Sequence, residues 1–536
     1  MQGLMMHGAL TLGAILDRAE RINARGAVVS RGSDRSLHRS TYGDLAPRAR
    51  RLAAGLRDLG VPEGARVATL MWNQREHLEA YYGVPARGAV VHTLNPRLSP
   101  AELGHIAAHA EDEAIIADAS LVEVLQRIRA EREFRHVIVV GDGDLPPGAI
   151  AYEEALATGD PGLPPVAQDD ELAAAALCYT SGTTGHPKGV LYSHRSLVLH
   201  AMGLAMADSF GIREADTVLP VVPMFHVNAW GLPFTCPMTG AQLVLPGRFL
   251  DPESLLELLV GERVTFTAGV PTVWLALLER LDQEPDAHDL SALRCMLVGG
   301  SAAPKGLIEA FERRHGLHVL QGWGMTEMCP VGSIGRLPRA MADAPAEERL
   351  AYRARQGQPV PLVEIRARHE DGFVPWDGVT MGELEVRGPT VAAAYMGGDG
   401  ADRFTADGWF RTGDIVTIDP TGCIEITDRE KDLIKSGGEW ISSVALENAL
   451  MALPAVAEAA VIAIPDPKWQ ERPLACVVLR PGHGPTPDEL RERLAGAFPS
   501  WWLPDRVEFV EEIPRTATGK FKKSVLRDRF AGNPGT

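Results

Sequence analysis

Three features common in exported, membrane-bound or nucleic-acid-binding proteins are missing from this 536-residue chain. The six cysteines stand singly, with no Cys-x-x-Cys pair, which predicts neither a disulfide framework nor a zinc site. No apolar run approaches the length of a membrane span, and the first residues lack the basic segment of an export signal. Positive charge is scarce as well, since 53 Lys and Arg face 70 Asp and Glu. We therefore expect a cytoplasmic protein whose net charge of -17 disfavours nucleic acid and anionic membrane surfaces.

The apolar pattern predicts layered α/β structure. Short buried runs alternate with helical stretches, which is typical of layers built on mostly parallel sheets. Predicted strands lie at 66–71, 114–117, 136–140, 242–245 and 295–298, and predicted helices at 46–59, 254–262 and 304–315. Strand runs at 383–387 and 415–418 then predict a small β subdomain, and strands near 459–464 and 475–479 a compact C-terminal α/β unit.

We expect two domains, because the chain is too long for one ordinary hydrophobic core. The larger would span 1–429, with α/β subdomains at 1–175 and 176–355 and the β subdomain at 356–429. The smaller, a mobile α/β domain, would span 430–536.

The segment 179–190, Tyr-Thr-Ser-Gly-Thr-Thr-Gly-His-Pro-Lys-Gly-Val, has the composition of a phosphate-binding loop. Its glycines allow backbone N–H groups to turn toward an anion, while hydroxyls and a lysine add donors and positive charge. The spacing matches neither the P-loop pattern nor the dinucleotide pattern Gly-x-Gly-x-x-Gly. The predicted phosphate-contacting residues are Thr180, Ser181, Gly182, Thr183, Thr184, Gly185 and Lys188.

This loop and six later motifs, in the same order, resemble the adenylate-forming superfamily of acyl-CoA synthetases, luciferases and peptide-synthetase adenylation domains. The match is closest to bacterial fatty acyl-CoA ligases, with 3-methylmercaptopropionyl-CoA ligases similar. Further agreement comes from 70–73 and 92–96, so the resemblance covers almost the whole chain. The six later motifs are Pro223–Gly231, Gly322–Glu327, Gly382–Pro389, Trp409–Asp414, Ile426–Asp432 and Pro514–Lys520.

The resemblance implies a two-step reaction with ATP, Mg²⁺ and CoA. A carboxylic acid is first converted to an acyl-adenylate with loss of pyrophosphate, and the acyl group then passes to CoA. Trp323 would stack on adenine, and Asp414 and Arg429 would bind the ribose. The remaining nucleotide contacts would come from Gly300, Ser301, Ala302, Gln321, Gly322, Gly324 and Met325.

The catalytic roles also follow from the resemblance. Glu327 and Thr184 would bind Mg²⁺, a hard ion that prefers oxygen ligands, and Thr326 would donate to the α-phosphate. Lys520 would bridge the substrate carboxylate and the α-phosphate, and it resembles sites of regulatory acetylation, which makes a lysine acetyltransferase a predicted partner.

Between the two half-reactions the family rotates its C-terminal domain, and Lys431 is the position expected to act as hinge. After rotation a second group of residues would line the channel for the pantetheine arm of CoA. These residues are Lys435, Gly437, Gly438, Glu439 and Trp440.

The sequence does not determine which carboxylic acid is the substrate. His226 and Trp230 lie in a motif that resembles long-chain fatty acyl-CoA synthetases. The resemblance implies a catalytic role for His226 and makes Trp230 the gate of an acyl tunnel, with core packing as the alternative for both. Medium- or long-chain fatty acids are favoured, with a short acid such as 3-methylthiopropionate or an aryl acid as alternatives. A non-catalytic nucleotide-binding protein on the same fold and luciferase-like oxidation are the other classes. A homodimer is also expected from the fatty acyl relatives.

Overall fold

A computed structural model describes residues 3–159, 169–180, 187–301, 303–369, 372–437, 439–482, 484–515 and 521–530. Within these ranges, no helix is both long and apolar enough to cross a membrane. All six cysteines are buried as free thiols.

The helices, in chain order, are α1 Leu12–Arg21, α2 Tyr42–Asp58, α3 Arg75–Ala86, α4 Pro100–His109, α5 Val122–Glu131, α6 Tyr152–Thr158, α7 His194–Ala205, α8 Leu232–Thr239, α9 Pro252–Gly261, α10 Pro271–Gln283, α11 Lys305–His315, α12 Ala346–Arg353, α13 Ser443–Met451, α14 Pro487–Ala495 and α15 Lys523–Phe530.

The strands are β1 Ala27–Arg31, β2 Leu37–Thr41, β3 Arg66–Leu70, β4 Val90–Thr93, β5 Ala114–Asp118, β6 His136–Val140, β7 Ala149–Ala151, β8 Ala174–Tyr179, β9 Gly189–Ser193, β10 Thr217–Pro220, β11 Gln242–Leu245, β12 Phe266–Gly269, β13 Cys295–Val298, β14 Val319–Gly324, β15 Val331–Ile334, β16 Gln358–Pro359, β17 Glu364–His369, β18 Gly372–Phe373, β19 Gly382–Arg387, β20 Phe410–Ile418, β21 Ile424–Arg429, β22 Ile434–Ser436, β23 Glu439–Ile441, β24 Val456–Asp466, β25 Gln470–Leu479 and β26 Arg506–Phe509.

Two large, mostly parallel sheets form the N-terminal part of the chain. The first has the order β7-β6-β5-β3-β4-β8-β9, and the second the order β16-β15-β14-β13-β12-β10-β11-β1-β2. The largest apolar core joins both sheets through α1, α2, α3, α7 and α8. The predicted α/β layers are confirmed, and each strand and helix predicted from the sequence is present.

Helix boundaries follow local chemistry. The side chain of Ser99 accepts the backbone N–H of Glu102, and the Glu102 carboxylate accepts the backbone N–H of Ser99, so this capping box starts α4. Asp251 caps α9 in a similar way and Pro252 occupies its first turn, so this helix begins two residues before the predicted start. The helix that the sequence places at 304–315 ends at His315, as expected, and the structure shows that the left-handed Gly316 caps it.

The expected division of the α/β layers at 175/176 does not coincide with the sheets. Strand β8 runs across that point and pairs antiparallel with β9 at the edge of the first sheet. Strands β1 and β2 come from the start of the chain but extend the second sheet, because β1 pairs in parallel with β11. Each sheet therefore takes strands from both sides of the predicted boundary.

The β subdomain is a five-stranded antiparallel sheet, β18-β17-β19-β20-β21. In the C-terminal unit β24 and β25 form a long antiparallel pair, with β22, β23 and β26 completing the sheet. Helices α13 and α14 contribute to one apolar core of this unit and α15 to another.

Candidate active site

The two parallel sheets are tied together where their strands end. Asn73, just after β3, donates from its amide Nδ2 to the carbonyls of Pro220 and Val222, at 2.9 and 3.0 Å. Its Oδ1 accepts the backbone N–H of Met224 at 2.6 Å, and all these groups are buried. Because ligands of open α/β sheets bind beyond the carboxyl ends of the strands, this edge is where a site is expected.

Two hydrogen bonds between Thr180 and Lys188 hold the two ends of the predicted phosphate loop together. The N–H of Thr180 donates to the carbonyl of Lys188, and the N–H of Lys188 donates back to the hydroxyl of Thr180, each at 3.0 Å. The ammonium of Lys188 lies 5.2 Å from the ring centroid of Tyr395, within cation–π range. Five predicted loop residues fall outside the described residues, namely Ser181, Gly182, Thr183, Thr184 and Gly185.

Glu327 lies in a short 3₁₀ turn directly after β14 and is 6% exposed. The phenol of Tyr395 donates a hydrogen bond to the Glu327 carboxylate, and burial together with that negative charge raises the pKa of Tyr395 well above its ordinary value. The hydroxyl of Tyr192 donates to the carbonyl of Thr326 at 2.6 Å, which fixes the turn to β9. Lys188 and Glu327, far apart in sequence, thus meet at the ring and the hydroxyl of Tyr395.

Tyr395 was missed by the sequence reasoning. It lies after the Gly382–Pro389 motif, outside any motif that carried the resemblance. Aromatic side chains with a polar tip are often conserved at sites, but a single sequence gives no signal that separates this tyrosine from a core residue.

Trp323, Asp414 and Arg429 form one contiguous group. The indole Nε1–H of Trp323 donates to Oδ2 of Asp414 at 2.9 Å, and Nε of Arg429 lies 2.6 Å from the other carboxylate oxygen. Asp414 is completely buried and pairs directly opposite Arg429 on the neighbouring strand. The sequence anticipated a stacking role for Trp323 but not this hydrogen bond, which links the predicted adenine and ribose residues.

Strand β14, which carries Trp323, lies very close to the backbone of a neighbouring segment. A Cβ at Gly324 would lie 2.0 Å from the carbonyl oxygen of Pro330, so no larger residue fits there. Gln321 is buried, and its side-chain carbonyl accepts the N–H of Ala303 at 3.3 Å. This bond joins the end of β14 to the wall formed by Gly300 and Ser301; Ala302 falls outside the described residues. Gly322 lies on the same strand, opposite Ile334, and Met325 follows it, donating its N–H to Pro330.

Trp230 lies in an unusual stretch of backbone. Val227, Asn228, Ala229 and Trp230 all have positive φ, between 44° and 55°, although L-residues pay roughly 1–2 kcal/mol each in that region. The indole packs against Gly299, since a Cβ there would lie 2.9 Å from the ring. This strained turn places Trp230 next to Gly300, one of the predicted nucleotide-binding residues. His226 is half-buried at the entry to the turn, and its backbone carbonyl accepts the N–H of Ala229.

The predicted hinge and CoA residues lie in the C-terminal unit. Lys431 is exposed and its carbonyl accepts from Arg527 of α15 at 3.3 Å. Lys435 is exposed opposite Trp440 on the neighbouring strand, and the Trp440 ring contacts His369 of the β subdomain with centroids 5.1 Å apart. Gly437 has φ of 62° with Trp469 packed against it. Gly438, Lys520 and the side chain of Glu439 fall outside the described residues.

The described residues thus bring two groups together: Lys188 with Glu327 at Tyr395, and Trp323 with Asp414 and Arg429. Trp440 contacts His369, Gly437 contacts Trp469, and the N–H of Lys435 donates to the carboxylate of Glu471 at 2.7 Å. Within the described part of the chain, no cluster of three or more metal-ligating side chains is present. A buried carboxylate with one protein hydrogen bond, as at Glu327, suits Mg²⁺, which keeps waters and takes its other ligands from phosphate oxygens.

Fold and site together define an adenylate-forming enzyme. Residues 17–396 match the family model described as AMP-binding enzyme, and residues 445–520 match the AMP-binding enzyme C-terminal domain. The chain belongs to the AMP-binding enzyme family. The assignment made from the motifs, to the AMP-forming acyl-CoA synthetases of this superfamily, is confirmed.

Three comparisons illustrate the relationship. The chain is 52% identical over 531 residues to a long-chain-fatty-acid–CoA ligase of Thermus thermophilus, covering 98% of this chain and 96% of the relative. It is 44% identical to a 3-methylmercaptopropionyl-CoA ligase of Ruegeria lacuscaerulensis, covering 99% of each. The solved anthranilate CoA ligase AuaEII, in complex with anthranoyl-AMP, matches with a TM-score of 0.85 at 27% identity over 97% of both chains.

Proposed function

We propose that this enzyme activates a medium- or long-chain fatty acid with ATP and transfers the acyl group to CoA. The observation that carries the proposal is the 52% identity to the Thermus thermophilus ligase over nearly the whole chain. Support from the site comes from Trp230, which packs against Gly299 next to the predicted nucleotide-binding residue Gly300.

In the first half-reaction a carboxylate oxygen attacks the α-phosphorus of ATP, and the bond to pyrophosphate breaks. The attacking oxygen and the phosphate are both anionic, so catalysis depends on positive charge and on positioning. Lys188 would face the leaving phosphates, Thr326 would donate to the α-phosphate, and Lys520 would bridge the two reactants.

When bound, Mg²⁺ would neutralise charge on the phosphates of ATP, with Glu327 and Thr184 as its protein ligands. The position of Glu327 supports this assignment, because Tyr395 fixes one carboxylate oxygen by a hydrogen bond. Tyr395 would orient Glu327 and provide an aromatic face for Lys188.

The nucleoside would bind against the pair of Trp323 and Asp414. A carboxylate accepts from both hydroxyls of a ribose, and the two oxygens of Asp414 are held in place by the indole N–H and by Arg429. Trp323 would offer its ring to adenine while its N–H orients the ribose acceptor.

In the second half-reaction the CoA sulfur attacks the acyl carbonyl carbon, and the bond to the AMP oxygen breaks. We propose that the unit 430–536 rotates about Lys431 for this step, relative to a body formed by 1–429. Lys435, Gly437, Gly438, Glu439 and Trp440 would then line the path of the pantetheine arm. The described contact of Trp440 with His369 would be lost in that movement.

A short or aryl acid is the second candidate, since the 3-methylmercaptopropionyl-CoA ligase relative is 44% identical. AMP release that depends on both ATP and CoA, measured for straight-chain acids from acetate to palmitate with 3-methylthiopropionate, benzoate and cinnamate, separates the two. We expect an optimum at medium or long chains. A maximum with 3-methylthiopropionate or an aryl acid would overturn the fatty acid assignment.

The role of Trp230 has its own test. We expect Trp230→Ala to broaden the chain-length profile, because the indole would no longer close the acyl path, and Trp274→Ala is a control for loss of a buried indole elsewhere. An unchanged profile would contradict the gate. Dimer formation, cytoplasmic location and acetylation of Lys520 stay predictions.

A further inference from the structure

Lys523 is a buried lysine next to the segment that carries Lys520. Although Lys520 and Lys522 are close to it in the sequence, Lys523 is only 8% exposed at the first residue of α15. Its ammonium donates to the hydroxyl of Ser443 at 2.7 Å and lies 2.6 Å from the carboxylate of Glu447. Glu447 also accepts the backbone N–H of Val461 at 2.7 Å.

Asp428 completes this group from the β subdomain. It is 1% exposed on β21, and its carboxylate accepts both the N–H and, at 3.0 Å, the hydroxyl of Ser443, the first residue of α13. A helix N-terminus favours a negative charge, and the charge of Lys523 acts on the same carboxylate. We call Asp428, Ser443, Glu447 and Lys523 the Lys523 cluster.

The cluster buries one positive and two negative groups. Burial raises the pKa of Glu447 to about 7, opposed by Lys523, and it raises the pKa of Asp428 as well. Buried charges are tolerated only while their partners are in place, and removing one partner is costly. A cluster of this kind therefore favours one arrangement of the elements that supply it.

Along the chain, the proposed hinge lies between Asp428 and the other three members of the Lys523 cluster. Asp428 precedes the proposed hinge Lys431, whereas Ser443, Glu447 and Lys523 follow it. A rotation about Lys431 would carry α13 away from Asp428 and leave the ion pair of Lys523 and Glu447 intact. The contacts of Asp428 with Ser443 can form only in an orientation like the described one.

The segment beside Lys523 approaches the carboxyl edge of the first sheet. The pKa of Glu102, at the start of α4, is lowered by hydrogen bonds from Ser99 and, to a lesser extent, by the positive charge of Lys522. Helix α4 follows the carboxyl end of β4, which lies beside β8 and the predicted phosphate loop. The positive charge of Lys522 therefore acts on the edge of the first sheet where the proposed adenylation step would take place.

We propose that the Lys523 cluster is an orientation-specific lock, in which Asp428 holds the C-terminal unit in the adenylation arrangement. Asp428 and Lys523 are thus positioning residues, and the inference rests on the domain rotation of the proposed function. Breaking the lock lowers the population of the adenylation orientation and leaves the other orientation accessible.

Asp428→Asn tests the lock, with Asp432→Asn as its matched control. Asp432 forms an ion pair with Arg527 at 2.7 Å, but both lie after the hinge and would move together. The two half-reactions are measured apart: acid-dependent ATP–pyrophosphate exchange with dodecanoate, and thioester formation from preformed dodecanoyl-AMP and CoA. We expect Asp428→Asn to slow exchange about tenfold while thioester formation stays within about twofold. We expect Asp432→Asn to leave the ratio of the two rates unchanged.

Two results would overturn the lock: equal slowing of both half-reactions by Asp428→Asn in a folded protein, or no slowing of either. If that variant does not fold, Lys523→Met and Lys523→Arg replace it. Lys523→Met is expected to slow exchange, whereas Lys523→Arg keeps the charge and is expected to exchange like the wild type. A folded Lys523→Arg variant that exchanges as slowly as Lys523→Met would count against the lock. A wild-type enzyme that catalyses neither half-reaction with any acid would contradict the proposed function instead, which separates the two failures.

Discussion

Two buried aspartates on neighbouring strands of the β subdomain have opposite relations to the rest of the molecule. Asp414 on β20 binds Trp323 and Arg429, both of which precede the proposed hinge. Asp428 on β21 binds Ser443, which follows it. Under the proposed rotation the partners of Asp414 would therefore be present in every orientation of the C-terminal unit. The contact of Asp428 with Ser443 would form in only one orientation, although its carboxylate also accepts the backbone N–H of Arg429 at 2.7 Å. On the proposed mechanism, Asp414 would serve both half-reactions and Asp428 only the first.

The largest expected effect comes from the lysine that the resemblance assigns to adenylation alone. We expect Lys520→Ala to lower ATP–pyrophosphate exchange at least about a hundredfold, because a charge directed at the transition state is lost. Thioester formation from preformed acyl-AMP would be retained, and a bulky residue at Gly438 would produce the reverse pattern. Equal loss of both half-reactions in both variants would contradict the proposal that each half-reaction uses its own orientation of the C-terminal unit.

A smaller effect on both half-reactions is expected at Asp414. Asp414→Asn keeps the shape but weakens acceptance of the ribose hydroxyls and leaves Arg429 without its ion pair. We expect the KM for ATP, and the KM for acyl-AMP in the second step, to rise about tenfold or more. A rise confined to one of the two steps would remove the contrast with Asp428.

Trp323→Phe sharpens the role of the indole N–H. The variant keeps an aromatic face but removes the donor to Asp414, so we expect the KM for ATP to rise several-fold and stability to fall by about 1 kcal/mol. Trp274→Phe is the matched control, since it removes a buried indole hydrogen bond of 3.1 Å to Leu297. The control should lose similar stability without a change in KM, and a matching KM rise in both variants would count against the assignment.

The smallest catalytic effect is expected at Glu447, whose signature is the pH dependence of stability. The carboxyl has a pKa of about 7 in the folded protein against an ordinary 4.5, so the folded state binds more protons between those values. The contribution of the protonated Glu447 carboxyl to the free energy of unfolding is fully present below about pH 4.5 and is lost as the pH rises through 7. Glu447→Gln should therefore flatten the fall of Tm between pH 5 and pH 8, and an unchanged slope would contradict the shift. Lys523, Asp428, Ser443 and the N–H of Val461 are the groups that face this carboxyl.

The sequence predicted those parts of the site that lie in local motifs. Thr180, Lys188, Glu327, Asp414 and Arg429 each stand at a fixed place in a short pattern, and the structure joins the last two directly. It could not predict Tyr395 or the burial of Lys523, since both depend on contacts between segments far apart in the chain. The strand order of the sheets could not be predicted for the same reason, since β1 pairs with β11, which lies more than 200 residues later in the chain.

The most direct test of the account measures both half-reactions side by side in Asp414→Asn and Asp428→Asn. The account predicts that Asp414→Asn impairs acyl-AMP formation and thioester formation alike, whereas Asp428→Asn impairs acyl-AMP formation alone. Indistinguishable profiles for the two folded variants would contradict the claim that one aspartate belongs to the site and the other to an orientation.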